Sequence, residues 1–224
     1  NMELYKRIVT SSPFLNEMIS EKFGIESSRI IAVTDPIDTD IYKTSGRINP
    51  VMTIGWVGTP SNTIYLKECL YDLIKLHDEG YCFKLYFCGS DRAYIDRIIE
   101  NRIECVYENW SLENEPAIYD KLDIGLMPLP DDVWSKGKGG YKLMLYMAMK
   151  KVAIASSVGI NTVIADEGKN SFLVKPGESW YQKVKYVLDN YNKIGYIADN
   201  ARSKIHLEYS LEKIAPNYLK AISL

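Results

Sequence analysis

The segment Lys136-Gly-Lys-Gly-Gly-Tyr-Lys142 sets three lysines and three glycines directly before the apolar run Leu143-Met-Leu-Tyr-Met-Ala-Met149. A helix N-terminus already carries partial positive charge and unpaired N–H groups, so lysines there are unfavourable unless an anion joins them. Glycines let the backbone close on such an anion, and the helix end favours its charge. The pattern points to an anion-binding loop; a solvated basic loop is the bland reading of the same residues. A second candidate is Gly58-Thr-Pro-Ser-Asn62, a strand-to-helix turn whose amides and hydroxyls can meet an anion or simply cap the helix.

Composition narrows the setting. The chain has 224 residues, 46% apolar and 25% charged, with a formal charge of −2. So small a net charge argues against general nucleic-acid binding, which needs a basic surface. The lysines above form a local patch in a slightly acidic protein. Cys69, Cys82, Cys88 and Cys105 make no Cys-x-x-Cys pair, and His77 and His206 lie far from them in sequence. The expectation is four buried reduced thiols in a cytoplasmic protein, with no metal and no redox pair. Asp131 and Asp132 could ligate a cation, but they read better as caps in a polar loop. Asn1 precedes Met2, so the chain is expected to be part of a longer protein.

The elements that position these residues follow an alternating rhythm. A strand over 7–10, a helix opened by Ser11-Ser12-Pro13 and closed by Gly24, and a strand over 29–33 come first. Residues 34–50, polar and without periodicity, read as a linker. Strands are then expected over 53–57, 83–88, 105–107, 124–127, 152–155 and 171–174. Helices are expected over 63–79, 91–100, 113–122 and 141–149, with three more over 180–190, 193–206 and 211–222. Such alternation implies a doubly wound parallel α/β sheet covered on both faces. In such sheets ligands bind at the carboxyl ends of the strands, where Gly58, Gly89 and the loop over 128–140 should gather.

Finer details carry a resemblance. Lys142-Leu-Met-Leu-Tyr-Met-Ala-Met-Lys-Lys-Val-Ala-Ile-Ala-Ser156, Val158-Gly-Ile-Asn161, Ala165-Asp-Glu-Gly168 and Ser171-Phe-Leu-Val174 closely resemble the C-terminal half of family 4 retaining glycosyltransferases. Gly55-x-x-Gly58, Gly89, Asp123-Ile-Gly-Leu-Met-Pro128, Asp38-Thr-Asp40 and Tyr209-Ser-Leu211 extend the match in order, over about four-fifths of the chain. The resemblance implies the GT-B architecture of two facing Rossmann-like domains. Residues 1–34 would be a remnant of the N-terminal domain, 35–50 the interdomain linker, and 51–224 the C-terminal domain that holds the donor.

That donor would be a nucleotide-diphosphate sugar, with no cofactor and no metal required. Lys142, Lys138, Gly139, Gly140, Gly58 and Thr59 are the diphosphate candidates. Gly89, Trp110, Leu145, Asn161 and Thr162 are expected near the nucleotide and its ribose. The family's paired glutamates, eight residues apart, fall on Gly137 and Leu145 here, so no residue is assigned to the bond-breaking step. Leu145 is expected on the helix side that faces the ribose, where a glutamate would tighten binding; if Leu145 is core instead, a carboxylate there would destabilise. The partners implied are a nucleotide sugar, the N-terminal domain of the same polypeptide, and a glycan or lipid-linked acceptor, with no nucleic acid. A cytoplasmic place is expected, or a peripheral one at the inner membrane face, in bacterial surface-polysaccharide synthesis. The competing reading is a non-catalytic glycosyltransferase-like module.

Overall fold

The computed structural model describes residues 5–223. The chain opens with a small parallel unit: strand β1 (Ile8–Thr10), helix α1 (Pro13–Phe23) and strand β2 (Ile30–Ala32). Ser12 caps α1 by accepting the Leu15 N–H, and Gly24, at φ 63°, ends it in the left-handed conformation that glycine reaches without cost. The last helix, α10 (Leu211–Ile222), closes on this unit: Ile214 and Ala221 pack with Val33, Val9 and Ile31. The Arg7 guanidinium ties the two ends together by donating to the carbonyls of Lys220, Ala221 and Ser223.

Between these ends lies a six-stranded sheet. In chain order its strands are β3 (Thr53–Val57), β4 (Lys84–Cys88), β5 (Cys105–Glu108), β6 (Ile124–Met127), β7 (Val152–Ser156) and β8 (Phe172–Val174). Their spatial order is β5-β4-β3-β6-β7-β8, and every pairing is parallel. Every residue of β3, β6 and β7 is buried, as a sheet covered on both faces requires. One core layer joins Trp56 and Ile54 to Leu70 and Leu73 of helix α2 (Lys67–Asp78) and to Val184 and Val187 of α8 (Trp180–Asn190). The other joins Val57, Met127 and Ala153 to Leu143, Leu145 and Met147 of α6 (Tyr141–Ala148), and to Ile118 of α4 (Glu115–Asp120). The strand order reverses direction between β3 and β6, which opens a crevice at their carboxyl ends.

Several expectations need correcting. The turn after β3 enters a 3₁₀ segment, Pro60–Leu66, before α2 begins. The Gly/Lys loop holds a short helix, α5 (Val133–Lys136), and a further short helix, α7 (Asn161–Ile164), follows β7. Four residues are too few to show a periodicity in sequence. Helix α3 (Arg92–Ile99) starts from an Asp91 cap, and α9 (Gly195–Lys204) runs into a π turn, Ile205–Tyr209. Residues 34–50 hold no regular element but are fastened: Ile37 N–H donates to Tyr209 O and Leu211 N–H to Ile37 O, while Arg202 donates to Thr39 and Ala148 carbonyls. Cys69 and Cys88 are buried thiols, but Cys82 is exposed and Cys105 half-buried, against the expectation of four buried. No helix among the described residues is long and apolar enough to cross a membrane.

Candidate functional site

The start of α6 sits at the crevice. Gly140 caps the helix at φ 75°, and a Cβ there would lie 2.5 Å from Ile164 Cδ1 and 2.9 Å from Ile160 Cγ2. Glycine is thus required by both backbone and space, and it leaves the first-turn N–H groups without a capping side chain. Ahead of it, Asp132 caps α5 by accepting the Ser135 N–H at 2.7 Å, and Asp131 pairs with Lys136 at 2.9 Å. The two aspartates therefore shape the loop and neutralise its first lysine.

The other two lysines are placed differently. Among the described residues, neither Lys138 nor Lys142 forms an ion pair or a hydrogen bond to a carboxylate; Lys138 Nζ sits 4.8 Å over the Tyr65 ring and Lys142 Nζ 4.2 Å over the Trp56 ring. Both line a cleft of about 210 Å³, together with Asn62, Tyr65, Trp56, Gly139 and Gly140. Burial lowers Lys138, with the Asp132 charge opposing. Burial, and then the Lys138 charge, push Lys142 down to about 7. A lysine so placed favours any ligand that brings negative charge.

The remaining expected residues fall into three groups. Gly58 and Gly89 are brought to the cleft edge as spacers. A Cβ on Gly58 would lie 2.3 Å from the Trp56 ring and 3.0 Å from Lys142 Nζ, and one on Gly89, at φ 66°, would lie 2.2 Å from Gly58 O. Their amides are engaged, however, donating to Cys88 O and Glu108 O, so neither is free for a phosphate. Trp110 stands beyond Gly89, its Cβ 3.8 Å from the position of that Cβ. Its indole is 49% exposed, and its N–H donates to Glu115 Oε1 at 2.9 Å. Glu115, itself buried, also accepts from the Tyr42 hydroxyl.

Asn161 is buried beside Gly140; its Nδ2 donates to Ser156 O at 3.0 Å, and its Oδ1 has no partner among the described residues. Thr162 is exposed, and its hydroxyl turns back to Gly159 O. Thr59 is exposed, makes no capping bond, and does not line the cleft; Asn62, one turn on, does. Leu145 is corrected outright. It is 1% exposed inside the apolar layer under α6 and does not line the cleft. Gly137 ends α5 against Leu15 of α1 and does not line the cleft. Sequence reading had Asn62 within its second candidate turn but missed Trp56 and Tyr65; an aromatic in a buried strand looks like core, and Trp56 is core except where its ring meets Lys142.

A doubly wound parallel sheet with an uncompensated cationic cleft at its switch point defines a Rossmann-like α/β domain of the GT-B kind. The family described as Glycosyl transferases group 1 matches residues 51–190, and the chain belongs to it. Solved structures show the same fold. A glycosyltransferase from Rickettsia africae ESF-5 superposes with a TM-score of 0.79 at 17% identity, over 96% of this chain and 62% of that one. Anabaena Alr3699/HepE, in complex with UDP and glucose, superposes at 0.82 with 15% identity, over 99% and 64%. The C-terminal domain of the group 1 glycosyl transferase LpcC from Francisella tularensis gives 0.63 at 17%, over 78% and 99%. This chain spans less than two thirds of the first two structures. No curated protein matches it.

Proposed function

We propose that this chain is the donor-binding part of a retaining glycosyltransferase that moves a sugar from a nucleotide diphosphate to a glycan or lipid-linked acceptor. The observation that carries the reading is the pair Lys138 and Lys142, seated over aromatic rings in one cleft and, among the described residues, without an ion pair to a carboxylate. As the bond from the sugar's anomeric carbon to the diphosphate breaks, negative charge grows on the departing oxygen. Lys142, Lys138 and the uncapped N–H groups of α6 are placed to stabilise that charge. Trp110, held edge-on by Glu115, offers a ring face for a base, and the unpartnered Asn161 Oδ1 offers an acceptor for a hydroxyl. The UDP in the HepE complex makes UDP the first nucleotide to try. Surface-polysaccharide synthesis, at the cytoplasmic face of a membrane, is the setting the reading favours. Alone, the chain should be catalytically silent, because the acceptor side of the cleft belongs to a facing domain.

Leu145 favours a second reading, a non-catalytic glycosyltransferase-like module that binds a nucleotide sugar weakly or only a partner protein, since no carboxylate stands at that helix position. A thermal-shift panel of UDP, GDP, ADP and TDP separates the two at the level of binding. A nucleotide at 100 times its Kd stabilises by about 2.7 kcal/mol, and one or two of the four should do so. No shift with any at millimolar concentration rules out a donor site.

A further inference from the structure

Most buried or half-buried lysines of this protein are held by carboxylates. Lys121 pairs with Glu108 at 2.5 Å, Lys183 with Glu167 at 2.5 Å, and Lys204 with Asp166 at 2.9 Å. Lys142 has a ring instead. Trp56 is 1% exposed in the middle of β3, in register with Phe87 of β4, and its far side is packed in the same layer as Leu66 and Leu70. The indole is therefore fixed by strand and core, and the Lys142 amine lies over its ring, 4.2 Å from the centroid. Gly58 completes the arrangement: any side chain there would intrude within 2.3 Å of the ring and 3.0 Å of the amine.

The two kinds of partner have different consequences. A carboxylate cancels the lysine's charge and takes one or more of its N–H groups. An aromatic face attracts the ammonium through its quadrupole but leaves the charge uncancelled and the three N–H donors free. We infer that Trp56 is a positioning residue for the anion site: its indole face seats the Lys142 amine at the cleft and favours its charged form over what burial and Lys138 alone would leave. This inference rests on the nucleotide-binding reading for its consequence, but the seat itself is a property of the ligand-free protein. Gly58, on the same account, is required by the seat rather than by contact of its own amide with phosphate.

The test compares Trp56→Phe with Trp56→Met. Both shrink the buried residue and leave a cavity, but only phenylalanine keeps a ring face for the ammonium. The first readout is the titration of Lys142, followed by NMR of its side chain and assigned with Lys142→Met. Trp56→Met should lower the Lys142 pKa by about one unit, and Trp56→Phe by clearly less. The second readout is the Kd for UDP, GDP, ADP and TDP at pH 7. Trp56→Met should weaken the binding nucleotide about tenfold, with Trp56→Phe recovering most of that loss. Equal titration and equal Kd in the two variants, at matched melting temperature, would show that Trp56 only fills space and overturn the inference. If wild type binds none of the four nucleotides, the functional reading falls, and the Lys142 titration still decides whether the seat exists.

Discussion

Two lysines, Lys151 buried and Lys142 half-buried, stand at opposite ends of α6, and their surroundings could hardly differ more. Lys151, just past the helix C-terminus, is 6% exposed; its Nζ donates to Asp120 O at 2.9 Å and lies 3.5 Å from the Asp120 carboxylate. That helix end favours a cation, and although burial lowers Lys151, Asp120 counteracts it. Lys142, in the first turn, meets a helix end that disfavours it, a second lysine, and a ring in place of a carboxylate. One lysine ties Asp120, and through it Thr44 and Ser45 of the linker, to the sheet. The other is held uncompensated. On the proposed function, stability and ligand binding divide between the two ends of one helix, and substitutions can test that division.

The largest effect is expected at Leu145, between the two. Burying a carboxylate within the apolar layer should make Leu145→Glu unfold at a much lower temperature, by about 4 kcal/mol or more, with no gain in nucleotide affinity. Tighter nucleotide binding with little loss of stability would instead place position 145 on the ligand side of the helix. Next comes Lys151→Met, which leaves the Asp120 carboxylate and carbonyl without their cation. It should cost about 3 kcal/mol by urea unfolding and leave the Kd for a bound nucleotide unchanged. The mirror variant, Lys142→Met, should be neutral or stabilising in the same unfolding experiment. Its effect belongs to binding, a loss of about 1.5–3 kcal/mol as for a charged hydrogen bond.

The smallest effect is on pH dependence. Lys142 is pushed below its unfolded-state range to about 7, so above that pH the unfolded chain binds a proton that the folded one has released. The contribution of this residue to stability therefore rises as pH climbs from about 7 toward the ordinary lysine range, in the absence of ligand. Melting temperatures of wild type minus Lys142→Met, measured at pH 6.5 and 8.5, should become more favourable to wild type at the higher value. A difference that does not change with pH would mean that Lys142 stays charged throughout.

How much of this was written in the sequence differs between sheet and site. The strands at 53–57 and 124–127 and the helices at 180–190 and 211–222 were legible to the residue, because hydrophobic periodicity and caps are local signals. The lysine cluster of the Gly/Lys loop was legible as charge at a helix start, which is also local. What seats the charge was not: Trp56 reaches Lys142 only because β3 and α6, far apart in the chain, meet at the switch point. Leu145 failed for a related reason. An alignment places a residue at a helix position, but which way that position faces is set by the sheet beneath it. Likewise the amide of Gly58 looked free from its turn motif, yet β4 takes it.

The central claim is that Lys142 is an uncompensated lysine that a bound diphosphate draws into its charged form, and proton uptake on binding tests it most directly. At pH 8 a lysine near 7 is mostly neutral, and a bound anion should draw a proton onto it. Calorimetric titration with the nucleotide that stabilises the protein, in two buffers of different ionisation enthalpy, reads that proton. The account predicts uptake approaching one proton per nucleotide in wild type and none in Lys142→Met. Binding without uptake in wild type, or equal uptake in both proteins, would contradict it.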